Sequence, residues 1–294
     1  MEHPELTDIL FRPSRAECNE LALVLAAQAI PSAVRWNGSA WVLSVPAKAI
    51  NLARLELAAY SAESRSRASS HPAIAAVGRP WPGIAIYCAV LVLMALMAPA
   101  LVFGVDWLVI GRMDGGRMLA GEWWRPVTAL MLHADAAHLL GNLLFGGLFA
   151  FSVSRYLGGG FGWLVIVLSG TMGNVANGFL AGSDHRSIGA STAVFAALAV
   201  LSAYLWRRGF PSNVSRRERL TPVIAGIGLL AFTGTGGVNT DIGAHLLGFV
   251  VGFGAGLVIA RIGVPTTRAA QGLSAVMVLA LVFFAWAAAL TPQF

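Results

Sequence analysis

Charged residues are scarce in this chain of 294 residues. They make up 12% of it, against 57% hydrophobic residues, and this is far from the composition of an average soluble domain. The shortage excludes a soluble fold for most of the chain, so the bilayer is the expected solvent. Nucleic-acid binding is not expected despite the net charge of +6, because the positive residues lie in loops between apolar runs.

Cysteine is almost absent. With only Cys18 and Cys88, the sequence can hold neither a disulfide framework nor a cysteine-rich metal site. The first residues are acidic and polar and lack the basic-then-apolar order of a cleavable signal peptide. We therefore expect the first membrane span to act as the targeting signal, and we expect no cofactor.

Apolar stretches suited to crossing a bilayer begin after Pro80, and short polar or arginine-bearing breaks separate them. The predicted spans are 84–104, 136–154, 160–181, 187–206, 221–236, 241–260 and 271–290. The arginine-dense loop from Arg207 to Arg219 is expected on the cytoplasmic side of the cell (inner) membrane. This orientation places the N-terminus inside and the C-terminus outside.

Residues 1–63 predict a small α+β cytosolic domain. A strand at 9–12, a capping box formed by Ser14 and Glu17, and a hairpin about Asn37-Gly38 support this reading. The sequence does not identify a partner for this domain. Ser, Ala and Arg dominate the following residues, which predict a linker over 64–83.

Four polar side chains lie near the outer ends of spans that run in the same direction. They are His138 and Asn142 in span two, Ser191 in span four and His245 in span six. A single serine in a helix usually bonds back to a carbonyl one turn earlier, and a lone histidine is more often a packing residue than a base. Polar groups inside spans are costly, however, and a cluster at one depth indicates a functional site.

Ser191 and His245 have the chemistry of a nucleophile and its base. Ser191 follows Gly189 at a helix start, where N–H groups lack intrahelical partners. His245 shares one helix face with Gly248 and Gly252, which lets that face pack closely on a neighbour. If the neighbour is span four, the imidazole can take the serine proton.

His138 and Asn142 are spaced i, i+4, so both side chains point the same way. One interpretation is an interhelical hydrogen-bond pair. The other is that both donate to the oxyanion that forms when Ser191 attacks a carbonyl group.

Four motifs together resemble the rhomboid family of intramembrane proteases over residues 122–260. In chain order they are Glu122-Trp123-Trp124-Arg125, His138-x-x-x-Asn142, Gly189-Ala190-Ser191 and Ala244-His245-x-x-Gly248-x-x-x-Gly252. The resemblance implies an all-α polytopic membrane fold, with a six-helix catalytic core over 84–262. It leaves 263–294 as an additional C-terminal transmembrane helix.

The same resemblance implies the roles of individual residues. Ser191 and His245 would form a catalytic dyad without an acidic third member. His138, Asn142 and the Ser191 N–H would stabilise the oxyanion, and structural motif positions would be Trp124, Arg125, Gly189, Gly248 and Gly252. The implied substrates are single-span transmembrane proteins in the lipid bilayer, cut after small residues where the helix is unstable. Thr192 departs from the family, which commonly has glycine there, and a β-branched residue restricts the backbone.

Other interpretations stay open at this point. Asp241 lies one turn before His245 and could complete a triad. Four outer histidines could suggest zinc, but no His-Glu-x-x-His motif is present. Glycine-interrupted spans could suggest a transporter, and a rhomboid-like protein could bind client membrane proteins without cutting them. The glycine-rich stretch 234–237 is expected to be a mobile cap over the site.

Overall fold

A computed structural model describes residues 6–12, 14–70, 76–210, 214–234 and 240–291. The chain divides into two compact units, Met1–His71 and Pro72–Phe294, and each is described by itself. The division falls within the stretch 64–83 that the sequence predicts as a linker.

The N-terminal unit is a three-stranded antiparallel sheet with two helices. Its elements are β1 (Leu6–Arg12), α1 (Arg15–Ala27), β2 (Ala33–Trp36), β3 (Trp41–Pro46), a 3₁₀ turn (Ala47–Ala49) and α2 (Ile50–Ser70). β3 lies between β1 and β2. The hairpin turn contains Gly38 at φ +97°, a conformation that glycine adopts readily. The helix α2 continues to Ser70, into the stretch predicted as a linker from residue 64.

The second unit is mostly helical. Its helices are α3 (Trp81–Met97), α4 (Trp107–Gly111), α5 (Gly115–Leu119), α6 (Arg125–Thr128), α7 (Ala136–Leu157), α8 (Gly159–Ala181), α9 (Ser191–Arg208), α10 (Arg216–Thr233), α11 (Ile242–Ile262) and α12 (Arg268–Leu290). Its short strands are β4 (Met113–Asp114) and β5 (Arg186–Ser187), and its 3₁₀ turns are Val102–Gly104 and Ala129–Met131.

Seven longer helices, α3 and α7 to α12, overlap the seven predicted spans. Among the described residues, α7, α8, α11 and α12 are long and apolar enough to cross a membrane, and α3 is apolar but shorter. The chain is therefore a multi-pass membrane protein, while the count of seven spans stays a prediction. The fourth span was predicted to start at 187, but α9 starts at Ser191, because Gly189 has φ +137° and cannot continue a helix.

The helix α9 lies at the centre of this unit, and most of its residues are buried. Glycines on one face of α11 let the two helices approach closely. A Cβ at Gly248, Gly252 or Gly256 would overlap the main chain of α9. Packing of this kind is how membrane helices associate, since lipid tails are as apolar as leucine and provide no hydrophobic drive.

The last helix, α12, is joined to the rest by Gln271. Its Oε1 accepts the N–H groups of Gly160 and Phe161 at 2.9 and 3.0 Å. Its Nε2 donates to the carbonyl groups of Leu157 and Pro265 at 3.0 and 2.7 Å. One side chain therefore satisfies main-chain groups at the junction between α7 and α8, where helix ends leave such groups without partners.

We expect Gln271→Leu to destabilise the protein by roughly 2–4 kcal/mol, because buried main-chain donors and acceptors would each lose a partner worth roughly 1–3 kcal/mol. The measurement is the unfolding midpoint of the purified full chain in detergent. Gln28→Leu, at the exposed C-cap of α1, makes the same change away from this junction and is expected to leave the midpoint unchanged. Equal midpoints for the two variants would contradict the bridging role of Gln271.

Candidate active site

The long loop between α3 and α7 is organised around the buried guanidinium of Arg125. This side chain is 1% exposed, and its Nε donates to the Glu122 carboxylate at 2.5 Å. Its Nη1 donates to the carbonyl groups of Val109 and Arg112 at 3.0 and 2.8 Å. A buried charge is tolerated when it is both paired and hydrogen-bonded in this way.

Trp124 adds a second link within the same loop. Its side chain is buried, and the indole N–H donates to the carbonyl group of Ile110 at 3.3 Å. Trp124 and Arg125 thus hold consecutive turns of the loop together through main-chain carbonyls. Both motif residues make these contacts within the loop.

The loop also fixes the segment that precedes Ser191. Strands β4 and β5 pair antiparallel, and Asp114 forms a salt bridge with Arg186 at 3.2 Å. Burial alone would raise the pKa of Asp114, but the Arg117 N–H and nearby guanidinium groups more than offset it and hold that pKa below its usual range. The N–H of Gly189 then donates to the carbonyl group of Ala129 at 2.9 Å.

Gly189 allows His138 to lie against the start of α9. A Cβ at this glycine would be 2.6 Å from Cε1 and 2.7 Å from Nε2 of the His138 ring, too close for any other residue type. The structure therefore brings His138 next to the main chain immediately before Ser191. This requirement, together with the positive φ, explains glycine at position 189.

His245 lies in the first turns of α11 and contacts Ser191 directly. The imidazole is 7% exposed, and its Nε2 is 2.7 Å from Ser191 Oγ. Its Nδ1 is 2.8 Å from the carbonyl oxygen of Gly234. A carbonyl can only accept, so Nδ1 carries the proton and Nε2 is left as an acceptor for the serine hydroxyl. The Phe195 ring packs on the imidazole with 4.6 Å between centroids.

Asp241 has a different set of partners from a triad aspartate. Its carboxylate accepts the N–H of Ala244 at 3.0 Å and so caps α11. It also accepts from Asn177 Nδ2 at 2.9 Å and lies 3.0 Å from His185 Nε2. Within the described part of the chain, no hydrogen bond joins Asp241 to the His245 ring. The imidazole is oriented by a main-chain carbonyl instead.

Asn142 lies one turn along α7 from His138, and its side chain is buried. Its Nδ2 finds no hydrogen-bond partner among the residues that the structure describes, while its main-chain carbonyl accepts the Tyr87 hydroxyl at 2.7 Å. A buried donor without a partner is costly, and native proteins keep few of them. The amide group of Asn142 is thus available to an acceptor from outside the protein.

Thr192 is accommodated by glycines on two neighbouring helices. A Cβ at Gly173 or at Gly248 would lie 2.9 Å from Thr192 Cγ2. The side chain therefore fills space that α8 and α11 leave open, and α9 continues regularly past it. The departure from the family pattern is a packing adjustment beside the site.

Sequence reasoning missed several residues that build this site. Asn174 donates to the carbonyl group of Pro126 at 2.9 Å, and Asn177 binds Asp241 as described. Both are polar residues inside predicted span three. A polar side chain inside a span is the same signal that singled out His138, Asn142, Ser191 and His245. Gly234 contributes only a main-chain carbonyl, for which the sequence carries no signal. Residues 235–237 of the predicted cap lie outside the described residues.

Comparison with known proteins agrees with the motifs. Residues 120–262 match the Rhomboid domain. YdcA of Bacillus subtilis (strain 168), a protein whose name places it among the rhomboid proteases, is 33% identical over 133 residues, which are 45% of this chain and 65% of YdcA. Rhomboid protease GluP of the same organism is 30% identical over 177 residues, 59% of this chain and 33% of GluP. The chain thus spans less than two thirds of the length of either relative.

The matched region contains all four motifs and every residue of the hydrogen-bonded arrangement around Ser191. The match and the two relatives therefore support placing residues 120–262, just under half of the chain, in the rhomboid family.

Proposed function

We propose that this protein is an intramembrane serine endopeptidase, in which Ser191 is the nucleophile and His245 its general base. The observation that carries the proposal is the 2.7 Å contact between His245 Nε2 and Ser191 Oγ. A serine hydroxyl becomes an effective nucleophile when an adjacent base takes its proton. The two relatives named as rhomboid proteases support the same reaction class.

The proposed reaction proceeds in two stages. Ser191 Oγ attacks the carbonyl carbon of the scissile bond while its proton passes to His245 Nε2. The imidazolium then protonates the leaving amine, and an acyl-enzyme forms. A water molecule next attacks the ester as His245 again accepts a proton, and transfer of that proton to Ser191 Oγ releases the new carboxylate product.

The Gly234 carbonyl takes the place of an acidic residue in this scheme. It accepts the Nδ1–H of His245 at 2.8 Å and so fixes both the ring orientation and the tautomer. A carbonyl dipole stabilises the imidazolium less than a carboxylate would, but it costs less to bury in a membrane protein. The proposal is therefore a dyad.

The proposed oxyanion donors surround the start of α9. The Ser191 N–H belongs to the first turn of the helix, where no intrahelical acceptor exists. The His138 ring lies against Gly189, and the Asn142 amide is buried with an unused donor. Donors placed where negative charge develops stabilise the transition state, typically by roughly 3–4 kcal/mol each.

The proposed substrates are single-span transmembrane proteins. The Ser191 hydroxyl lies at the end of the bundle where α7, α9 and α11 begin, and a peptide bond in an intact helix is shielded until the helix unwinds. By the charge distribution, this end is proposed to face the extracytoplasmic side of the cell membrane and the N-terminal unit the cytoplasm. The six spans up to residue 262 would form the catalytic core, with α12 as a seventh.

The first test is covalent labelling by a serine-reactive isocoumarin, because it requires no known substrate. We expect Ser191→Ala and His245→Ala each to reduce the labelling rate by at least about 1,000-fold, since members of such a unit act together. Ser202→Ala changes another buried serine of α9, whose hydroxyl donates to the Leu198 carbonyl at 2.8 Å, and it should label as fast as wild type. Labelling that survives His245→Ala would exclude the dyad. A folded wild type that does not label would favour a client-binding protein.

The oxyanion role of Asn142 has its own test. We expect Asn142→Ala to slow labelling by roughly 100-fold or more, the effect of losing one donor to the transition state. Since its Nδ2 has no partner among the described residues, the unfolding midpoint should stay close to that of wild type. A labelling rate that falls only in proportion to lost folded protein would give Asn142 a structural role.

The absence of an acidic third member is tested at Asp241. We expect Asp241→Asn to label within about tenfold of wild type, because asparagine can still cap α11 and the His245 ring stays bonded to Gly234. A triad aspartate would instead lose about 10,000-fold on the same change. Labelling rates measured at fixed pH, with the folded fraction determined for each variant, separate these two outcomes.

A further inference from the structure

A cavity lies beside α9, on the face that carries Ala193 and Ala197. Its volume is about 360 Å³, and side chains of α3, α7, α8, α9 and α12 line it. This volume is in the range of sites that hold small organic ligands. Ile86 of α3 and Leu279 of α12 line it and are about half exposed, so the cavity opens between these two helices toward the surrounding lipid.

The walls are apolar along most of the cavity. Ala193 and Ala197 of α9 form one side, and Val278 and Val282 of α12 face them. The hydroxyl of Tyr87 also lies at the wall, but it is already bonded to the carbonyl group of Asn142 at 2.7 Å. Water needs two to four polar partners to occupy a buried site, so the apolar part of this cavity suits a hydrocarbon chain.

The end of the cavity remote from Ser191 is polar. Among the described residues that line the cavity, Arg79 is the charged one; it is exposed, and its main-chain oxygen lies beside Gly159, where α8 begins. Within the described ranges it has no carboxylate within 4.0 Å. Trp163 lines the same end. A cation thus stands at one end of a hydrocarbon-lined space.

We propose that this cavity binds a membrane phospholipid, with one acyl chain between α3 and α12 and the phosphate beside Arg79. Charge complementarity selects this ligand, because a guanidinium binds phosphate through charge-assisted hydrogen bonds. The proposal does not depend on the proposed protease activity.

A single acyl chain is narrow and flexible enough to follow the walls of this cavity, whereas a transmembrane helix is at least about 10 Å wide.

The affinity should come mainly from the polar end. An acyl chain that leaves bulk lipid for this cavity gains packing contacts but no hydrophobic free energy, because both surroundings are apolar. The preference for an anionic lipid therefore depends on Arg79. Binding of the acyl chain depends on the free space beside α12. The chain would pack against Ala193 and Ala197, on the helix whose first residue is Ser191.

The test measures retained lipid. The full chain is reconstituted in vesicles of equal parts phosphatidylcholine and phosphatidylglycerol and extracted into mild detergent, and bound lipid is identified by native mass spectrometry. We expect wild type to retain one phosphatidylglycerol per chain. Val278→Phe fills the cavity and should reduce retention about tenfold, the equivalent of losing about 1.4 kcal/mol of binding. Val276→Phe makes the same change on the same helix at a side chain 61% exposed, and it should retain lipid as wild type does.

A second pair of variants tests the phosphate contact. Arg79→Gln should reduce the ratio of phosphatidylglycerol to phosphatidylcholine about tenfold, as expected for one charge-assisted interaction. Arg261→Gln removes an exposed arginine of α11 that does not line the cavity and should leave the ratio unchanged.

Several results would overturn the proposal. Wild type that retains no lipid would contradict the proposal. Equal retention by the two phenylalanine variants would place the bound lipid on the outer surface of the bundle. An unchanged lipid ratio in Arg79→Gln would exclude the phosphate contact. This comparison still tests the proposal if Val278→Phe fails to fold.

Discussion

Close packing between α9 and α11 is the constraint on which the remainder of the site depends. Ser191 and His245 are 54 residues apart and can meet only if their helices approach to main-chain contact at the right rotation. Gly248 and Gly252 allow that approach, because any Cβ on this face would overlap the main chain of α9. Within a bilayer such contact is also the main source of helix association, so the packing that holds the bundle together also brings Ser191 and His245 into contact.

Main-chain carbonyls accept hydrogen bonds from several buried side chains in this protein. They accept from the buried guanidinium of Arg125, from the amide of Gln271 and from Nδ1 of His245. A neutral acceptor costs less to bury than a carboxylate does, and helix ends and irregular loops provide carbonyls that have no other partner. The irregular loop between α3 and α7 is therefore ordered by its own hydrogen bonds. It holds the segment before Ser191 in one conformation.

The two sides of α9 differ in character. One side carries Ser191 toward His245 and the buried polar groups, and the other lines a hydrocarbon-compatible cavity that α12 helps to enclose. The helix α12 is attached at both ends, through Gln271 near α8 and through the Trp286 indole, which contacts Met131 Sδ at 3.2 Å. The additional helix is thus an integral wall of the bundle.

By itself the sequence determined that the chain is a helical membrane protein and which polar residues are candidates for the site. Apolar stretches indicate a multi-pass membrane protein, and Ser191, His245, His138 and Asn142 stand out because polar side chains in spans are costly. Only the tertiary structure decided that α9 begins at Ser191, that Asp241 caps α11 with no hydrogen bond to the His245 ring within the described ranges, and that glycines of α8 and α11 make room for Thr192. These features depend on main-chain carbonyls, on positive φ at Gly189 and on contacts between helices distant in sequence, and no side-chain pattern along the chain records such contacts.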